Sequence, residues 1–83
     1  MPQQRTRKIQ RKSFDAGVAG ALLRERRETL GMSQRILADL AHVSQRTIVN
    51  IEFGKGSVRL KNLEAVTHAL DLDVLTVIGQ ALR

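Results

Sequence analysis

Residues 33–54 read SQRILADLAHVSQRTIVNIEFG, and the tripeptide Ser-Gln-Arg stands in this stretch twice, at 33–35 and at 44–46. Each serine hydroxyl is suited to cap a helix start, and each is followed by apolar residues in helical phase. Leu37 and Leu40 are expected to turn inward after the first cap, Ile48 and Ile51 after the second. The spacing therefore predicts two short helices, Gln34 to about Leu40 and Gln45 to about Phe53. Only Ala41-His42-Val43 lies between the first helix and the second cap, and Gly54 closes the pair.

On the N-terminal side the pattern predicts a longer helix that begins at Ser13 as cap. Asp15 falls in its first turn, where the helix dipole favours a negative charge, and Phe14, Val18, Leu22 or Leu23, and Leu30 follow at helical spacing. Gly31 ends it. Gly17 and Gly20 weaken it by about 1 kcal/mol each relative to alanine, unless close packing needs them. On the C-terminal side, a loop from Lys55 to Arg59 leads to a fourth helix with Leu60, Leu63, Val66 and Leu70 inward and no evident cap. The last segment, DLDVLTVIG at 71–79, is rich in β-branched residues and favours a short strand over a fifth helix. A lone strand on a helical body needs a partner strand, most simply from a second copy of the chain.

Composition limits the function classes. The 83 residues allow one small domain; 42% are apolar and only 2% aromatic, so the core is aliphatic. With no cysteine there is neither a disulfide framework nor a thiolate metal site, and His42 and His68 are isolated. The net charge of +6 is unevenly placed: residues 1–12 carry Arg5, Arg7, Lys8, Arg11 and Lys12 and no acid, whereas 13–83 hold nine basic and eight acidic side chains. This arm lacks apolar periodicity and is expected to be disordered when free. It suits phosphate tracking, or serves as a solubilising tail. No apolar run follows it as in a secretory signal, and Val74 to Ile78 is too short to cross a bilayer, so a cytoplasmic, nucleoid-associated protein is expected. Asp15, Asp39, Asp71 and Asp73 form no recognisable acid pair, no glycine-rich phosphate loop is present, and Ser44 is explained as a cap. Neither catalysis nor a cofactor is expected.

Two short helices joined by a tight turn form the helix-turn-helix arrangement, whose second helix enters the DNA major groove. Residues 22–56, LLRERRETLGMSQRILADLAHVSQRTIVNIEFGKG, resemble the lambda-repressor/Cro-like (XRE) family in phase at Arg27, Gly31, Met32, Ser33-Gln34, Leu37-Ala38, Val43-Ser44, Ile48, Ile51-Glu52, Gly54 and Lys55. His42 departs from the family's turn glycine. The resemblance implies an all-α, four-helix domain over 13–71, preceded by the basic arm 1–12 and followed by a dimerisation segment 72–83. The tail 58–78 is similar to HipB-like antitoxins, in which a strand pairs across a dimer. That likeness implies dimer contacts from Leu72, Val74, Leu75, Thr76, Val77 and Ile78, autoregulation, and a HipA-like toxin kinase as partner. Gly56 replaces a proline common in that group, and few residues follow the expected strand.

Within this framework Gln45, Arg46, Val49 and Asn50 fall on the solvent side of the second short helix. Glutamine or asparagine can bond adenine bidentately and arginine guanine, for about 1–3 kcal/mol of discrimination each, and Val49 can meet a thymine methyl. Gln34, Ser44, Thr47, Lys55 and the five arm cations are candidate phosphate contacts. The resemblance further implies that Arg27 and Glu52 form a structural pair that fixes the reading helix. The expected function is a homodimeric repressor on an inverted-repeat operator in double-stranded DNA. The alternatives are a phage-type repressor, a restriction-modification controller protein, and, in another class, a protein-interaction module without DNA binding.

Overall fold

The computed structural model describes residues 12–83, so Arg5, Arg7, Lys8 and Arg11 lie outside the described residues. The order is α1 (Ala16–Thr29), α2 (Gln34–Ala41), α3 (Gln45–Glu52), α4 (Leu60–Ala69) and α5 (Val74–Ala81). Helix α2 packs on α3 and α4, while α1 packs on α3 and α5. The all-aliphatic core joins Leu23, Leu37, Ile48, Val66 and Leu70 with Val77 and Ala81 of α5.

Two helix starts are capped through the local hydrogen bond the serines suggest. Ser33 Oγ accepts from the Ile36 N–H at 3.0 Å and Ser44 Oγ from the Thr47 N–H at 3.0 Å. The cap of α1, however, is Asp15 and not Ser13: Asp15 Oδ1 accepts from the Val18 N–H at 3.0 Å. Ser13 instead exchanges two backbone hydrogen bonds with Arg83, both 2.9 Å, beside an isolated antiparallel bridge between Phe14 and Leu82. The two ends of the described chain are thereby tied together. Helix α4 begins at Arg59 without a side-chain cap, as the sequence suggested.

The strand expected over 73–78 is instead the helix α5. Asp73 is its cap, with Oδ2 accepting from both the Thr76 N–H (3.1 Å) and the Thr76 hydroxyl (3.0 Å). Its β-branched residues cost only tenths of a kcal/mol in a helix. Val74, Val77, Ile78 and Ala81 recur at helical spacing and meet the core, so burial outweighs propensity. Leu40 and Leu60, expected inward, are exposed. In α2 the inward face is Leu37, Ala38 and Ala41, and Leu40 falls just outside that arc, beyond Leu37. Leu30 also lies outside, just past the end of α1.

Candidate nucleic-acid interface

Helix α3 is held by one face and offers the other. Ile48, Ile51 and Glu52 are buried, while Gln45 and Arg46 are exposed and Thr47, Val49 and Asn50 are half-buried at the surface. At 100° per residue Arg46 and Asn50 share the stripe opposite Ile48. Among the described residues no intramolecular hydrogen bond occupies the side chains of Gln45, Arg46 or Asn50. Their donors and acceptors are free for a partner. The Ser44 hydroxyl is 2.9 Å from Thr47 Oγ1, which ties the cap to the first turn of α3.

The turn into α3 is made by His42, whose φ of 58° places it in the left-handed region. Its N–H donates to the Asp39 carbonyl at 3.3 Å, and the Val43 N–H reaches the Ala38 carbonyl at 3.0 Å. This closes α2 by the usual left-handed capping pattern and redirects the chain within two residues to Ser44. Histidine occupies this conformation at a cost that glycine lacks.

Behind the exposed stripe lies a buried charge network. Arg27 Nε donates to Glu52 Oε2 at 2.6 Å and Nη2 to Glu52 Oε1 at 3.1 Å, while Nη1 reaches the Met32 carbonyl at 2.7 Å. The Glu52 side chain is 1% exposed and that of Arg27 11%. Hydrogen bonding to the Glu52 carboxylate raises the Arg27 guanidinium above the usual arginine range, against the opposing effect of burial. Gln34 Nε2 supplies a further donor to Glu52 Oε1 at 3.2 Å. The Gln34 side chain, expected to face a phosphate, is thus engaged with Glu52, because a buried carboxylate oxygen draws the nearest amide donor. Arg24 adds a cation–π contact, its guanidinium carbon 5.7 Å from the centre of the Phe53 ring at the end of α3.

Beside α3 is a polar recess of about 100 Å³ lined by Thr47, Asn50, Lys55, Ser57, Arg59 and Asn62. Lys55 and Arg59 give the recess a positive character, and the start of α4, which has no side-chain cap, borders it. Thr47 and Lys55 were legible as candidates in the sequence. Ser57, Arg59 and Asn62 were not, because only the fold of the 55–59 loop brings them to α3. Of the cationic arm only Lys12 is described, and it is exposed.

This fold and surface define a helix-turn-helix DNA-binding domain. A helix-turn-helix family profile matches residues 23–76. The chain belongs to that family, among the XRE/Cro-like DNA-binding transcriptional regulators, which are not catalysts. Among solved structures it is similar to the restriction-modification controller protein C.AhdI from Aeromonas hydrophila, with 31% identity over 75% of this chain and 94% of that one, TM-score 0.70. It is similar to the clp gene regulator ClgR from Corynebacterium glutamicum, with 33% identity over 80% and 86% and TM-score 0.70. The P22 c2 repressor bound to a synthetic operator aligns at 25% identity over 76% and 96%, also with TM-score 0.70. No curated protein matches in sequence. Among the described residues no helix is long and apolar enough to cross a membrane.

Proposed function

We propose that the protein is a homodimeric repressor of the controller or phage-repressor kind, which places α3 of each copy in successive major grooves of an inverted-repeat operator. The observation that carries this reading is the division of α3: Ile48, Ile51 and Glu52 buried, Gln45 and Arg46 exposed, Asn50 half-buried at the surface beside Arg46. In this reading Gln45, Arg46, Val49 and Asn50 read bases. Ser44, Thr47, Lys55 and the cationic recess hold backbone phosphates, joined by Arg5, Arg7, Lys8, Arg11 and Lys12 of the arm. Likeness to a restriction-modification controller protein at 31% identity supports the controller reading.

The second copy docks on the apolar side of α5. Phe14, Val58, Leu60, Leu63 and Ile78 line a groove, and Leu75, 73% exposed, stands one helical turn before Ile78 on α5. Of the residues expected at a dimer contact, Val77 is spent in this chain's own core, Thr76 on Asp73, and Leu72 and Val74 are half-buried. Leu75 and Ile78 are the ones left to offer. A HipB-like antitoxin with a HipA-like kinase partner was suggested by a C-terminal strand; with α5 in its place, no contact in the structure favours that partner over the repressor reading.

The test is selection from random duplexes by the full chain, followed by sequencing. A palindromic motif is expected, with half-sites one helical turn, about 34–36 Å, apart. Absence of any enriched motif at low salt sinks the reading and revives the protein-interaction module.

A further inference from the structure

Arg27 and Gln34 both hold Glu52, but they tie α3 to different things. Arg27 belongs to α1, and its two hydrogen bonds fix α3 against that helix. Gln34 is the first residue of α2, and its bond to Glu52 Oε1 joins the start of α2 to the last residue of α3. Among the described residues it is the one side-chain hydrogen bond between these two helices. The rest of their contact is aliphatic packing around Leu37 and Ile48, and the short turn at His42 and Val43 joins the two helices.

Chemistry fixes which half of the amide faces Glu52. A carboxylate oxygen and an amide oxygen are both acceptors and repel, so the amino group must be the one turned inward. Glu52 also sits at the C-terminal, negative end of α3, where a buried carboxylate is disfavoured unless several donors meet it. Loss of the Gln34 donor leaves one Glu52 oxygen with a single, longer bond at 3.1 Å. With Nε2 committed, what remains at Gln34 to meet a phosphate is its second amide hydrogen and the backbone N–H at the start of α2.

Resting on the DNA-reading role of α3, we propose that Gln34 is a positioning residue that sets the angle between α2 and α3, and thereby base discrimination, by bonding Glu52. Phosphate capture by its side chain is not its main contribution. Discrimination needs α3 held to within about 0.5 Å at base edges, whereas phosphate contacts carry no sequence information directly.

The test compares the full-length protein with Gln34→Met, which keeps the length and the backbone N–H and loses the donor, and with Gln34→Ala. Two readouts are taken after circular dichroism shows each variant folded. Amide hydrogen exchange without DNA is expected to accelerate about tenfold over residues 49–53 in Gln34→Met, with α5 unchanged. Affinity for the selected operator is expected to fall about tenfold while affinity for a scrambled duplex stays within about twofold. Equal loss on both duplexes assigns the side chain to phosphate and overturns the proposal. Unchanged exchange over 49–53 overturns it whatever the DNA result. Should Gln34→Ala fail to fold, Gln34→Met carries both readouts. Wild-type protein that does not distinguish the two duplexes overturns the reading of function, and the exchange measurement then decides the Gln34 link by itself.

Discussion

His42 and Asp71 both adopt φ of 58°, each just past the end of a helix, at positions where the bonding pattern calls for a left-handed residue. At the corresponding ends of α1 and α3 the chain uses Gly31 and Gly54. The two glycines and His42 were legible, the last because it departs from a turn glycine. Asp71 was not, since an aspartate in this conformation carries no sequence signature. A left-handed conformation costs an L-residue about 1–2 kcal/mol, which glycine avoids. His42→Gly is therefore expected to stabilise the domain by about 1 kcal/mol, net of glycine's larger entropy in the unfolded chain, and to raise Tm by about 4–8 °C in a domain of this size. Calorimetry measures it, and operator affinity should be unchanged; a lower Tm shows that the imidazole makes a stabilising contact. By contrast, the Arg27–Glu52 pair introduces no pH sensitivity from its arginine side. A group whose pKa is raised on folding contributes fully below its unfolded value and loses that contribution only as pH rises through the folded one, here above the arginine range.

Between elements, α1 approaches the end of α3 closely at Gly20. A Cβ at Gly20 meets the Ile51 carbonyl oxygen at 2.2 Å and the Glu52 carbonyl oxygen at 2.6 Å, both backbone atoms that have little room to move. The sequence raised this glycine as a helix-weakening cost of about 1 kcal/mol unless packing needed it, and packing does. Gly20→Ala is expected to gain that propensity yet lose more by pushing α1 off α3, for a net destabilisation of about 1–3 kcal/mol. The shift also loosens Glu52, so thermal melts and operator affinity should fall together. Retention of both shows that α1 slides without cost. Helix α5 teaches the opposite lesson. Its composition favoured a strand, and the Asp73 cap together with the 74–77–78–81 face decided for a helix. The sequence contained both signals, and local preference alone does not weigh them.

At the scale of the molecule, charge is unevenly distributed along the sequence. The body from residue 13 onward carries a near balance of charge, and the excess cations lie in residues 1–12. Deleting residues 2–12 is expected to weaken DNA binding and to flatten the dependence of log K on log salt, by about 0.9 for each phosphate no longer neutralised, with the preferred motif retained. An unchanged slope in titrations between low and moderate salt returns the arm to a solubilising role. Leu75→Glu places a charge on the most exposed large apolar residue of α5 without touching the core. It is expected to yield a folded monomer by analytical ultracentrifugation, with operator affinity lowered at least about tenfold because the two half-sites no longer bind as one. A dimer that survives Leu75→Glu moves the interface elsewhere. What the sequence determined by itself were features that act within one turn of helix: the Ser33 and Ser44 caps, most of the aliphatic periodicity, the exposed face of α3 and the family motif. The tertiary structure alone decided whether α5 is strand or helix, that Gln34 serves Glu52, and that Ser57, Arg59 and Asn62 meet α3. Those outcomes depend on burial and on partners distant in the chain, where a few tenths of a kcal/mol of local preference are outweighed by the packing of apolar surface and by the requirement that every buried charge be bonded.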